Sequence, residues 1–179
     1  MEKIKRQERT LVCKGTWISL YRDTMSFANG NTAYWDFIAH NGAAAMVAED
    51  ADGSIVMIRQ WRPGAEAEIL ELPAGGINPG EEPEAAAVRE LKEETGALCG
   101  KAEPLLMIQP SPAYNNERVS IFYCMITGYA NIELDENEYI TIERFSLEEL
   151  VRMVMEGKIT DGKTVAGIFA YQELKRKPQ

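Results

Sequence analysis

Short apolar runs of strand length, bounded by turn residues, fill most of the chain up to Phe145, and apolar residues at helical spacing follow them. The pattern predicts strands at Thr16 to Tyr21, Ala33 to His40, Ala43 to Ala48, Ile55 to Arg62 and Ile69 to Leu72. Further strands are predicted at Leu105 to Gln109, Val119 to Ile126 and Tyr139 to Phe145. Ser146 with Glu149 three residues on reads as a capping box, with Phe145 placed to staple against Leu150. Leu147, Leu150, Val151 and Val154 supply the apolar stripe of the helix that follows. A last helix is predicted from about Lys163 to Arg176, with Val165, Ile168, Phe169 and Leu174 inward and a basic end at Lys175, Arg176 and Lys177. Strands dominate early and helices are interleaved and terminal. That order predicts an α/β fold, a mixed sheet between helices, and not a regular βαβ repeat.

One helix interrupts the strands and carries a different signal. Asn78, Pro79 and Gly80 form a turn cluster, Pro83 suits a first helical turn, and Gly96 is placed to end the helix in a left-handed conformation. Glu81, Glu82 and Glu84 lie where the helix dipole favours negative charge. Within this segment the residues follow the spacing Gly75-x5-Glu81-x7-Arg89-Glu90-Leu91-x-Glu93-Glu94-x-Gly96-Ala97. The seven glycine, glutamate and arginine positions in it, each matched at a residue frequency of roughly 7%, recur by chance on the order of 10⁻⁸ times per window.

The physics of that spacing is specific. Glu90, Glu93 and Glu94 crowd one side of the helix, and like charges so placed are destabilising unless something neutralises them. A hard divalent cation such as Mg²⁺ prefers carboxylate oxygens and would do so. Arg89 can pair with Glu93 at i+4 or reach back to Glu81. Ala87, Val88 and Leu91 are expected to face the core. The plain alternative is a solvated acidic face, which leaves the loop, the arginine and both glycines unexplained.

Composition narrows the chemistry further. A chain of 179 residues without repeats or linkers predicts a single domain. Its charged N-terminus has no apolar signal core and no run reaches membrane-spanning length, so a cytoplasmic protein with no membrane partner is expected. Cys13, Cys99 and Cys124 form no C-x-x-C pair, which suits reduced thiols. His40 is the only histidine, which excludes a multi-histidine zinc site, and its place beside Asn41-Gly42 suggests a structural or exposed role. The net charge of −9 argues against nucleic acid as a partner. Anionic small substrates stay open if a metal and a few arginines invert the local field.

The segment from Gly75 to Ala97 resembles the Nudix box of the Nudix hydrolases and departs from it at no position. The resemblance implies the family's α/β/α sandwich and cleavage of a nucleoside diphosphate linked to another moiety. It assigns metal binding to Glu90, Glu93, Glu94 and the backbone carbonyl of Ala74, with Glu81 and Arg89 in support. Three weaker matches point to the ADP-ribose and nucleotide-sugar pyrophosphatases: Arg59 to Arg62, reading RQWR; Pro112 in PSPAYNNER; and Glu136-Asn137-Glu138 before a strand. By that resemblance Glu136 or a box glutamate acts as general base and Glu138 adds a metal ligand. A solvated acidic turn is the alternative for this loop.

The implied metal is Mg²⁺, with Mn²⁺ as the alternative, and the implied products from ADP-ribose are AMP and ribose 5-phosphate. Arg62 is the candidate phosphate clamp. Trp35 with Asp36 is the candidate base site and Trp17 can flank it, core packing being the alternative for both tryptophans. Arg118 either orients the Pro112 loop or forms an ion pair. The substrate readings that remain are ADP-ribose, another nucleoside diphosphate sugar such as GDP-mannose, and a sensor that binds such a molecule without cleaving it. The family also implies a homodimer to which the strands of residues 1–40 contribute.

Overall fold

The computed structural model describes residues 3–16, 18–134 and 139–176. Trp17, Glu136, Glu138 and Lys177, singled out above, lie outside the described residues. The chain packs as two units, one of residues 1–41 with 111–117 and the other of residues 42–110 with 118–179.

The first unit is an antiparallel sheet of three strands, β1 (Ile4–Lys14), β2 (Ser19–Phe27) and β3 (Thr32–Ala39), in that order. The strand expected from Thr16 therefore starts later and runs further. It crosses Asp23, a poor strand former, because the Arg9 guanidinium grips the nearly buried Asp23 carboxylate with two bonds of 2.6 Å. These bonds hold the Asp23 carboxyl below its usual range. The stretch 111–117 is stitched along the end of β3: Ile38 N–H donates to the Tyr114 carbonyl at 2.8 Å, and the Asn116 side chain exchanges two hydrogen bonds with the His40 backbone. The His40 backbone thus helps to hold this stretch beside β3.

The second unit is the expected α/β/α sandwich. Its mixed sheet runs β11 (Ile140–Phe145), β5 (Ile55–Arg62), β4 (Ala43–Glu49), β10 (Val119–Tyr129) and β8 (Ala97–Cys99). Strands β6 (Ala67–Glu71), β7 (Ala74–Gly76) and β9 (Glu103–Ile108) join β5, β4 and β10 respectively. β4 and β10 pair in parallel and the other ladders are antiparallel.

Side chains alternate between two apolar layers, which is why the central strands read as continuous apolar runs. Ala44, Met46, Val56, Phe122 and Cys124 pack under α1 (Pro83–Thr95), with Ala86, Ala87 and Leu91. Ala45, Val47, Met57, Val119 and Ile121 face the layer of α2 (Leu147–Met155) and α3 (Gly162–Arg176). The Ser146–Glu149 capping box is present at the start of α2.

The inward stripe of α3 has Ile168 buried and Val165 and Leu174 packed on the core as expected, and differs at Phe169. Thr164, Gly167, Ile168 and Tyr171 are buried, whereas Phe169 is only partly so. A Cβ on Gly167 would sit 2.6 Å from Leu72 Cδ1, so the missing side chain is what lets α3 approach the sheet. Cys13, Cys99 and Cys124 are free thiols. No helix among the described residues is long and apolar enough to cross a membrane.

Candidate active site

The acidic helix is entered as its sequence suggests. Pro83 occupies the first turn, and Gly96 closes it at φ 71 with its N–H on the Lys92 carbonyl. That helix is held against β7 and β4, and its exposed edge carries Arg89 at the centre of a charge cluster. Arg89 takes both of the partners expected of it and adds a third. Its Nε and Nη2 donate to the two oxygens of Glu81 at 2.8 and 3.0 Å, while Nη1 donates to Glu90 at 2.7 Å and to Glu93 at 2.9 Å. Nη2 also donates to the Gly76 carbonyl at 2.9 Å, tying the helix to the loop before it.

These bonds set the local protonation. Arg89 holds Glu81 ionised, helped by the Asn78 N–H on the same carboxylate, and lowers its pKa to about 2. The surrounding carboxylates raise the Arg89 pKa in turn, Glu81 most. Because the folded value lies below the ordinary value of 4.5, Glu81 stabilises the fold fully above that value, and this is lost as pH falls towards 2. An NMR titration of the Glu81 carboxyl is expected to show a midpoint near 2 in the wild type and, in Arg89→Met, a rise towards the ordinary Glu value of about 4.3, stopping below it because the Asn78 N–H still donates to the carboxylate. A Glu81 midpoint indifferent to that substitution would refute the pairing.

Glu94 is held by the short strand before the helix. It is buried, and its Oε2 accepts from the Ala74 N–H at 2.9 Å. Glu90 lies directly over Gly75, where a Cβ would overlap its carboxylate. One short strand thus seats two of the box glutamates, Ala74 through its N–H and Gly75 through its missing side chain.

The donor chemistry suits a hard divalent cation. Glu90, Glu93 and Glu94 present oxygen alone, the Glu90 carboxylate has a cradle made for it, and the Glu90 and Glu93 oxygens on Arg89 Nη1 are no further apart than the sum of their distances to it. No group of three such side chains among the described residues is already gathered on one point, since Arg89 stands between Glu90 and Glu93. A groove of about 570 Å³ runs beside Val88, Arg89, Lys92 and Glu93 and leaves this edge of the helix open to solvent.

The other candidates are placed as follows. Arg62, at the end of β5, forks onto Glu71 with Nε at 2.6 Å and Nη2 at 3.2 Å. Burial works against the Arg62 cation, but the Glu71 bonds and the charges of Glu71, Glu94 and Asp161 outweigh it and raise its pKa. Arg118 has an exposed side chain, and its carbonyl accepts from Ala43 N–H. In the first unit Trp35 is half exposed and meets Phe27 edge-on at 6.0 Å, Asp36 faces Arg22 at 3.7 Å, and Pro112 is exposed.

Sequence reasoning passed over Glu71, Asp161 and Lys163, which extend the Arg62 ion pair into a charged group. Two signals pointed to them: a glutamate between Leu70 and Leu72 in an apolar strand, and an Asp with a Thr three residues on before a helix.

A sheet covered on both faces, with a Gly75-to-Ala97 loop and helix presenting paired carboxylates at its edge, defines a Nudix hydrolase. The chain belongs to this family: the NUDIX domain model matches residues 39–166. The chain is 33% identical to an ADP-ribose pyrophosphatase of Bacillus subtilis (strain 168), over 97% of this chain and 96% of that protein. It is 32% identical to a methanol dehydrogenase activator of Bacillus methanolicus, over 90% and 91%. Its fold is similar to the crystal structure of an ADP compounds hydrolase, with a TM-score of 0.85, 22% identity, and coverage of 97% of this chain and 95% of that one.

Proposed function

We propose that this Nudix pyrophosphohydrolase cleaves the diphosphate bond of ADP-ribose to give AMP and ribose 5-phosphate. The observation that carries the reaction is the intact arrangement of Glu90, Glu93 and Glu94 about Arg89 and β7. The choice of substrate is supported by the near full-length similarity to a protein named for ADP-ribose.

In this reading Glu90, Glu93 and Glu94 hold Mg²⁺, with Glu138, outside the described residues, as a further ligand. When bound, the metal neutralises the diphosphate and makes water a competent nucleophile near neutral pH. The chain supplies the rest. Arg89 fixes the rotamers of Glu90 and Glu93, and Glu81 fixes Arg89. The Ala74 N–H keeps one Glu94 oxygen occupied and so orients the other. Arg62 binds a phosphate oxygen with donors that Glu71 leaves over, since the fork takes two of the five N–H groups of a guanidinium. Glu136 is the proposed base. Trp35 and Asp36 are proposed to stack on and hydrogen-bond the adenine, an assignment resting on the exposed indole and its neighbouring carboxylate.

The test is a substrate panel of ADP-ribose, GDP-mannose, ADP-glucose and dinucleoside polyphosphates with Mg²⁺, scored by kcat/KM. ADP-ribose is expected to lead the others by at least about tenfold. A lead for GDP-mannose would replace the substrate and keep the reaction. Tight ADP-ribose binding with no metal-dependent product would replace the reaction by sensing.

A further inference from the structure

The Arg62–Glu71 fork is unequal, and the cause lies on α3. The two bonds measure 2.6 Å at Glu71 Oε1 and 3.2 Å at Oε2. Oε2 is shared: it also accepts from the ammonium of Lys163, the second residue of α3. Glu71 is almost fully buried at 1% exposure, so its charge must be matched, and Arg62 and Lys163 match it from two sides.

Lys163 is itself fixed. Its Nζ lies 3.0 Å from Asp161 Oδ2, which caps α3 by accepting from the Thr164 N–H at 3.0 Å and from the Thr164 hydroxyl at 2.6 Å. Thr164 Oγ1 in turn accepts from Leu72 N–H at 2.9 Å, beside Glu71. The start of α3 is thereby bolted to the strand whose continuation seats Glu94 and Glu90.

We propose that Lys163 is a positioning residue for the diphosphate substrate: by holding Glu71 Oε2, it stops Glu71 from closing a full fork on Arg62 and keeps the outer guanidinium edge turned to a phosphate. The inference rests on the proposed role of Arg62 and reaches past it, since Lys163 touches no substrate. Without the ammonium, both Glu71 oxygens are left to Arg62. An evenly gripped guanidinium is drawn towards the buried carboxylate, and its remaining donors turn from the ligand.

The experiment compares wild type, Lys163→Met, Lys163→Arg and Glu71→Gln, with Leu150→Ala as a destabilised control that removes the buried side chain of α2. Binding of the methylene-bridged, uncleavable analogue of ADP-ribose is measured with Mg²⁺ by calorimetry, and KM and kcat are measured well below each Tm. Lys163→Met is expected to raise Kd and KM about tenfold with kcat within about twofold, the scale of one weakened charged hydrogen bond. Lys163→Arg, which keeps a cation on Glu71, is expected to restore most of the loss. Glu71→Gln turns an amide N–H towards the cations and is expected to raise Kd at least as much as Lys163→Met.

Unchanged Kd in Lys163→Met overturns the proposal. So does an equal rise in Leu150→Ala, which would reduce the effect to stability. A wild type that binds the analogue without cleaving ADP-ribose defeats the proposed reaction, and the Kd ratio then decides the role of Lys163 alone. A wild type that binds no analogue defeats both.

Discussion

Glu90→Gln and Glu94→Gln are each expected to lower kcat/KM for the diphosphate substrate by about a thousandfold, while the folded protein persists. Such a loss corresponds to about 4 kcal/mol of transition-state stabilisation, the several kcal/mol that a metal acting on a phosphoryl oxygen can supply. The substitution removes charge and keeps shape. A glutamine at position 94 still offers a carbonyl to the Ala74 N–H, which now takes Oε2 at 2.9 Å, so the buried backbone donor is not orphaned. A glutamine at 90 still fits over Gly75 and can accept from Arg89 Nη1. What each variant loses is a hard anionic oxygen for the proposed metal.

The two sites are expected to differ in one respect. Glu90 shares Arg89 with Glu81 and Glu93, so its loss leaves the arginine well matched. Glu94 is buried at 3% exposure and its charge helps to hold the Arg62 cation, so Glu94→Gln is expected to lower Tm more than Glu90→Gln does. Activity at both positions within a factor of a few of wild type would sink the assignment of the box glutamates. Loss confined to one of them would name the other as structural.

How much of this was legible beforehand varied with the local physics. The strand at Ile55–Arg62 was read to the residue, because both its faces are covered and its apolar run is unbroken until Arg59. The capping box of α2, the left-handed Gly96 and the Arg89 pairings depend on residues within a few positions of one another, and local rules reach that far. β1 escaped because it is exposed along nearly its whole length and carries Lys5, Arg6, Glu8 and Arg9, with no alternation to detect. β7 and β8, of three residues each, are shorter than any periodic signal.

In the site, adjacency in sequence again marked the limit. The glutamates of one helix suggest a metal site by their crowding in the sequence, whereas the Arg62, Glu71, Lys163 group joins β5, β6 and α3 across long separations. Gly75 was recognised only as part of a spacing. Its steric role follows from where α1 sets Glu90, a relation between two elements.

That relation yields the second large effect: Gly75→Ala is expected to inactivate the protein nearly as fully as Glu90→Gln, with little change in Tm. The backbone at Gly75 cannot yield, because β7 pairs with β4 and places Gly75 opposite Ala44. Glu90 is fixed at its Cα by α1, which Leu91 anchors in the core next to it. The added methyl group must therefore displace the far end of the Glu90 side chain, whose carboxylate occupies its volume. A flexible side chain moves at little cost in stability, about 1 kcal/mol for an off-rotamer shift, but the oxygen leaves both Arg89 and the proposed metal. A displacement of 1 Å at a reacting group is enough to cost about a hundredfold in rate. The double variant Gly75→Ala with Glu90→Gln separates this mechanism from general damage. If the methyl acts only by evicting the Glu90 carboxylate, the pair is strongly non-additive and its kcat/KM falls no further than that of Glu90→Gln alone. Multiplying losses, or a Gly75→Ala protein with wild-type turnover, would show that Gly75 serves the site in another way than by making room for Glu90.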